Sequence, residues 1–373
     1  MLDVKFNYVS SFLKGDFNST FIDAFSKLNI NDNLLKMSVF ADSYSCEGYV
    51  KNLNFIKEVV KSKFGPDAIE ISYIAQKPLD AELILEFVHA EKESNVFYNS
   101  HNGITYAKVE EGDKKMIFIS GICGEINQLI SKQSRLIFQS IDEILKFEDM
   151  PISSIVRQWN FIPGITMFEN DFQHYQQFND IRALFYEKTK WNKGYPSATG
   201  IGTKNAPLLV DVIAMKGHNG EIPIRNSKQI DAHIYSDEVL LGAEDQALKQ
   251  RYTPKFERAK LIIENTNALV FVSGTAAIIG EESLGQNNVK DQTNITIDHI
   301  NNLVTKEVLN SIEFKSKAQF ESIRVYVKHI SDYEVVKQVC EKRLPNVNVV
   351  YVEADVCRDE LLVEIEAFVK IKI

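Results

Sequence analysis

Two carboxylates stand two residues apart near the end of the chain, Glu364 and Glu366, in a stretch that is otherwise apolar. Read with period two, residues 360–369 and the tail after them put Val363, Ile365, Ala367, Val369, Ile371 and Ile373 on one face of a strand. That face must lie on a core. The opposite face carries Leu362, Glu364, Glu366, Phe368, Lys370 and Lys372. A carboxyl between Leu362 and Phe368 on a central strand would be disfavoured in its charged form, and a neutral carboxyl suits proton donation at neutral pH. The other reading is a wet sheet face on which both glutamates pair with lysines. The strand alone leaves both open.

Three further groups of residues have types that bind or react. Gly194-Tyr195-Pro196-Ser197-Ala198-Thr199-Gly200-Ile201-Gly202 offers hydroxyls and glycine amides to a polar ligand, or is simply a turn leading into a strand at Leu208. It lacks the spacing of a phosphate loop. Ser273-Gly274-Thr275-Ala276-Ala277 follows an apolar strand; its small side chains admit a ligand close to the backbone, or close sheet packing. Cys357 has no neighbouring histidine, so a pocket-wall thiol is the reading rather than a nucleophile. Arg157, Arg182, Arg225, Arg258, Arg324 and Arg358 are the stock for a carboxylate clamp, with Arg182 and Arg258 preferred. The histidines form no metal-ligand or triad pattern.

The elements that must hold these residues repeat. Met116 to Gly121 is matched by Leu269 to Gly274, and the helix Ser134 to Leu145 by one over Asn294 to Leu309, with Ile297, Ile300, Val304 and Val308 on one stripe. The strand Ser154 to Trp159 is matched by Ser322 to Val327, and a helix at Phe172 to Glu187 by one at Tyr333 to Leu344. Leu208 to Ala214 closes the first copy as Leu361 to Ala367 closes the second, which aligns Asp211 with Glu364. The chain therefore reads as two tandem β-α-β-rich units, about 80–215 and 228–373, with 218–223 as a polar Gly/Pro linker. Before them, Val4 to Val9 alternates like a strand, Asn52 to Lys63 reads as a helix ended by Gly65-Pro66, and Ile69 to Ala75 alternates again. That segment carries no catalytic motif.

With 373 residues the chain is long enough for two substantial cores. A net charge of −9 with no basic run argues against nucleic acid as a partner. No stretch approaches the roughly 20 apolar residues of a membrane span, and the N-terminus lacks a secretory pattern. Four scattered cysteines fit reduced thiols in the cytoplasm rather than zinc or disulfides.

The stretches 195–202, 226–229, 256–259, 273–276, 324–327 and 355–364 resemble the chorismatases, chorismate-cleaving enzymes similar to tandem YjgF/RidA-type domains. The resemblance covers about residues 155–373 well and the first 80 poorly. It implies an α+β fold of two tandem YjgF/RidA-like (chorismate-mutase-like β-α-β) domains with mixed sheets packed by helices, divided as 1–217 (with an N-terminal extension) and 218–373. It also implies a pocket between the copies, with Glu364 as general acid. The substrate implied is chorismate, cleaved to pyruvate and a ring product without metal or cofactor; no nucleic-acid or membrane partner is implied, and a monomer fits two fused copies. Binding would fall to Tyr195, Thr199, Gly200, Arg182, Arg258, Gly274, Ala276, Ala277 and Arg324. A cysteine seven residues before the acid, here Cys357, resembles the hydroxybenzoate-forming branch, which yields 3-hydroxybenzoate, sometimes with 4-hydroxybenzoate. Alanine at 276 or 277 is compatible with the branch that hydrolyses chorismate to a diol. The competing enzyme reading, a RidA-type imine deaminase, implies a carboxylate-binding arginine near position 349, where this chain has Val349. A non-catalytic small-ligand binder is the third reading.

Overall fold

A computed structural model describes residues 4–28, 33–65, 68–91, 94–244, 248–264, 267–305, 309 and 318–373. Alternating and β-branched runs form three mixed sheets, each covered on one side by two helices. The first unit contains β1 (Val4–Ser11), α1 (Phe17–Ser26), β2 (Leu34–Ala41), α2 (Cys46–Phe64), β3 (Ser72–Ala75) and β4 (Leu83–Ala90). The second starts with the strands β5 (Val96–His101), β6 (Ile104–Glu111) and β7 (Lys114–Cys123). It continues through α3 (Ile130–Phe147), β8 (Ile155–Pro163), a small hairpin of β9 (Phe168–Glu169) and β10 (Phe172–Gln173), α4 (His174–Tyr186), β11 (Ser197–Thr203) and β12 (Leu209–Lys216). The third opens on β13 (Gly220–Ile224), β14 (Ala259–Glu264) and β15 (Asn267–Thr275). It goes on with the hairpin β16 (Ile278–Ile279) and β17 (Glu282–Ser283), α5 (Val289–Leu303), β18 (Gln319–Val327), α6 (Tyr333–Arg343), β19 (Val349–Glu353) and β20 (Val363–Lys372).

Both tandem copies are present, and the N-terminal extension folds on a related plan. Strand order is β1-β4-β2-β3 in the first sheet, β5-β6-β7-β12-β8-β11 in the second and β13-β14-β15-β20-β18-β19 in the third. In every unit the closing strand pairs antiparallel with two neighbours, and the last two strands of the order run parallel. Residues 4–90 are thus a copy without the leading strand pair.

Three expectations shift by a few residues. Gly220 to Ile224 is an edge strand of the third sheet, not a linker, and Pro223 is tolerated because an edge strand leaves one side of its backbone unpaired. The stretch Ser197 to Thr203 is itself a strand, parallel to β8, rather than a turn. The helix expected at 294–309 begins at Val289, where Asn288 caps it by accepting from Asp291 N–H, and ends at Leu303; Val308 lies outside the described residues.

The closing strand behaves as its pattern requires. Val363, Ile365, Ala367, Val369 and Ile371 are buried against α5 and α6 together with Ile297, Ile300 and Val336. Its other face, carrying Glu364, Glu366 and Phe368, looks toward the neighbouring units and is buried as well. Phe6 of the first unit packs tilted on Phe368 at 4.3 Å between ring centroids, and Phe271 does so at 5.2 Å. Glu366 therefore lies where three units meet, and Glu364 between the second and the third. The wet-face reading is excluded. Among the described residues no helix is long and apolar enough to cross a membrane.

Candidate active site

The second and third units are sewn together along β11 and β15. Ser273 Oγ donates to Glu257 O and accepts from Ala198 N–H, while Glu257 N–H donates to Pro196 O. Opposite Glu366, β15 carries a two-residue bulge at Ser273-Gly274 between the pairs Val272–Ala367 and Thr275–Ile365. A side chain at Gly274 would overlap Glu364 Oε1, and one at Gly200 would press on the Tyr175 ring. The small-residue runs thus exist to let a carboxyl and an aromatic ring stand close to backbone.

The space they leave is a cavity with an empty volume of about 810 Å³, part of it open to solvent, within the range that holds small-molecule ligands. Strand β11 and helix α4 of the second unit form one wall, with Gly200, Tyr175 and Arg182. The third unit supplies Gly274, Ala276, Cys357, Arg358 and Glu364. A roof comes from the segment before β14, with Tyr235, Leu240, Phe256 and Arg258. Tyr235 ties two cations together: Arg258 and Arg358 stand 5.5 and 5.7 Å from its ring, and Arg258 Nη2 donates to its hydroxyl at 2.6 Å.

Charge in the cavity is unbalanced toward positive. Arg182 and Arg258 are buried, Arg358 lines the same wall, and the facing carboxyl, Glu364, is held neutral. Arg182 Nη2 donates to Asn179 Oδ1 at 2.6 Å, yet Arg182 Nε, Arg258 Nε and Asn179 Nδ2 have no partner among the described residues. Buried donors left this way are costly, and an anionic ligand with acceptor oxygens would satisfy them.

Glu364 accepts no hydrogen bond among the described residues. Burial first, and then the Glu366 carboxylate, push its pKa up to about 8 against the opposing pull of Arg157 and Arg258. Glu366 is the reverse case. It accepts from Arg157 Nη2 at 2.6 Å, Arg324 Nη1 at 2.7 Å, Trp159 Nε1 at 2.9 Å and the Thr199 hydroxyl. Burial works against its charge, but Arg324 and Arg157 outweigh it, so its pKa is lowered. Cys357 beside Glu364 is driven up to about 12 by desolvation and then by that carboxyl, so it stays a neutral thiol and no nucleophile. Burial likewise raises the Tyr175 phenol, which remains a donor.

Of the residues singled out by sequence, Glu364, Cys357, Gly200, Arg182, Arg258, Gly274 and Ala276 meet around this one cavity. Tyr195 does not line it; its ring stacks on Tyr186 at 5.9 Å, and its N–H donates to Glu257 Oε1. Thr199 turns away to hold Glu366 and to accept from Gly274 N–H at 3.0 Å. Ala277 is fully buried behind the wall, and Arg324 binds Glu366 and Glu86 outside the cavity. Sequence reasoning missed Tyr175 and Asn179 on α4, and Tyr235, Leu240 and Phe256 in the roof. The helical spacing of Tyr175, Asn179 and Arg182 on one face was the available signal.

The alignment of Asp211 with Glu364 is also corrected. Ser120-Gly121 forms the same bulge on β7, between Ile119–Val212 and Ile122–Val210, and Asp211 lies opposite it. By register Asp211 corresponds to Glu366, and the counterpart of Glu364 is Leu209.

Comparison with known proteins agrees with this architecture. Residues 89–214 match the family model for the N-terminal part of FkbO/Hyg5-like chorismatases. A 3-hydroxybenzoate synthase of Streptomyces hygroscopicus is 27% identical over 318 residues, covering 82% of this chain and 86% of its own. A chorismatase of the same organism is 25% identical over 298 residues, 78% of this chain and 80% of its own. A crystal structure of a chorismatase superposes with a TM-score of 0.74 at 20% identity, across 99% of this chain and 98% of that one. The resemblance to the chorismatases carried by the sequence motifs is thereby borne out, and the fold is theirs.

Proposed function

We propose that this chain is a chorismatase that splits chorismate into pyruvate and a hydroxybenzoate, with 3-hydroxybenzoate the favoured ring product. The observation that carries the reading is the neutral, buried, unbonded Glu364 facing a cavity lined by three arginines. A dianionic enol ether is the ligand such a cavity suits. Arg182, Arg258 and Arg358 are the donors for its two carboxylates, and fixing both holds the methylene against the acid.

Glu364 gives its proton to the methylene carbon, turning the enol ether into an oxocarbenium ion. The ring hydroxyl then attacks the neighbouring ring carbon as the ether bond to that carbon breaks, and pyruvate leaves with the bonding electrons as its keto oxygen. The hydroxyl proton returns to the Glu364 carboxylate. The strained epoxide opens, its oxygen taking up a proton as the ring carbon gives one up to restore aromaticity, so the step is an isomerisation and no water is consumed. Cys357, neutral and next to the acid, forms the wall beside the ring, where it favours internal attack over entry of water. Ala276 on the same wall supports the second reading, hydrolysis to a dihydroxycyclohexadiene carboxylate.

Incubating the protein with chorismate and coupling pyruvate to lactate dehydrogenase tests the cleavage. Chromatography of the ring product separates 3-hydroxybenzoate from 4-hydroxybenzoate and from the diol. No pyruvate under these conditions, with binding retained, leaves a small-ligand binder; ammonia and a keto acid from an imino acid would point to a deaminase.

A further inference from the structure

The mechanism uses Glu364 and leaves a second buried carboxylate, Glu366, and the ionic chain behind it without a task. Glu366 stands on the same strand face, two residues along, and four donors hold it: Arg157, Trp159 and Thr199 from the second unit, and Arg324 from the third. Arg324 in turn donates to Glu86 of the first unit and to Tyr326 Oη. Glu86, Arg324, Glu366 and Arg157 are all buried, so these charges act on one another with little screening.

We propose that Glu366 is a positioning residue whose fixed negative charge keeps the proton on Glu364, and that Glu86 on the first unit completes this device by sharing Arg324. The proposal deepens the chorismatase reading and rests on it for the use of the proton, but not for where the proton resides. Two carboxyls on adjacent same-face positions of a buried strand cannot both ionise cheaply. All the donors go to one of them. Glu364, which receives none, must take the proton. The groups facing Glu364 from the packed elements are Glu366 on β20, Arg157 on β8, Arg258 before β14, Tyr175 and Arg182 on α4, and the thiol of Cys357 with Arg358 beside it. The tyrosine and thiol are neutral, and the arginines favour an ionised Glu364. Glu366 is the opposing anion. Without Glu86, the cluster of Glu366, Arg157 and Arg324 carries a net positive charge, which also favours ionisation of Glu364.

The test is a carbon-13 NMR titration of the Glu364 side-chain carboxyl in the full-length protein, free of ligand, which needs no turnover. Glu366→Gln removes the anion and leaves the Arg157 guanidinium without its carboxylate, so the Glu364 midpoint should fall by about one pH unit or more. Glu366→Asp should restore most of it. Glu86→Gln should shift the midpoint in the same direction by a smaller amount. It lies outside the cavity and keeps the test open if Glu366→Gln does not fold. An unchanged midpoint in either glutamine variant overturns the corresponding part of the proposal. Loss of pyruvate release in wild type with the midpoint shift intact would overturn the chorismatase reading and leave this one standing.

Discussion

The junction between the first and second units and that between the second and third use the same parts for different ends. At each, a Ser-Gly bulge faces a closing-strand carboxylate, and the preceding unit supplies the cation. Lys36 and the Ser72 hydroxyl donate to Asp211, as Arg157 and Thr199 donate to Glu366. The third junction keeps the ion pair, Arg324 with Glu86, but β1 pairs with β4 without a bulge. What differs is the position two residues earlier. Opposite the first unit it is Leu209, and a side chain at Gly121, whose φ is +68°, would run into the Ile71 carbonyl. Opposite the second unit it is Glu364, and the space at Gly274 holds its carboxyl. The carboxylate present at all three junctions, Asp211, Glu366 or Glu86, is ion-paired to a cation of another unit. The catalytic candidate is the additional one, present at a single junction, where no donor among the described residues reaches it and the carboxyl stays protonated.

That contrast can be broken at several points. Glu364→Gln keeps the size and loses the proton, so pyruvate release should drop by about 10²–10⁴-fold while ligand binding persists. Turnover at the wild-type rate would move the acid elsewhere. Gly274→Ala puts a methyl group on the Glu364 carboxyl; a clear loss of turnover is expected, smaller than that of Glu364→Gln, and an unaffected rate would show that the close approach is dispensable.

Asp211→Asn tests the sealed junction. It leaves the Lys36 ammonium buried without its anion, and breaking such a pair costs about 3–5 kcal/mol. Denaturant unfolding should show that loss, with turnover per folded molecule unchanged. A loss of turnover without destabilisation would mean that the sealed junction is catalytic too. Stability against pH separates the two carboxyls further. A folded-state pKa of about 8 lies above the ordinary 4.5, so the folded chain binds a proton that the unfolded chain releases between those values. The Glu364 contribution is complete below pH 4.5 and lost as pH rises through about 8. Glu364→Gln should flatten that decline, and an identical pH slope in the variant would contradict the raised pKa. The smallest effect belongs to Cys357→Ala, which should alter the ratio of hydroxybenzoate to diol more than the total rate. An unaltered chromatogram would remove the thiol from product steering.

Much of the third unit was legible in its residues, because period two in β20 and the run Ser273-Gly274-Thr275-Ala276 report burial and close approach directly. Arg182 and Arg258 were preferred among six arginines, Arg182 because it faces the tyrosine loop by sequence order and Arg258 for its place in the stretch 252–259. The pairing of Asp211 with Glu364 failed for a physical reason. Leu-Leu-Val-Asp and Leu-Leu-Val-Glu look equivalent in sequence, but the bulges at Ser120-Gly121 and Ser273-Gly274 set the register, and they set it two residues apart. The first unit escaped notice because it lacks the leading strand pair and because Lys36, Ser72 and Glu86 act across unit boundaries, which no local pattern reveals. Tyr235, Leu240 and Phe256 lie in an irregular segment held by contacts such as Ser236 with Glu281, and irregular backbone has no periodicity to read.

The central claim is that a proton on Glu364 drives cleavage, and the pH dependence of pyruvate release from chorismate at low substrate tests it most directly. The account predicts a rate that is steady below neutrality and falls tenfold per unit above about pH 8, as the acid ionises. A rate that rises through pH 8 would mean that the reaction needs the carboxylate and not the acid, and would contradict it.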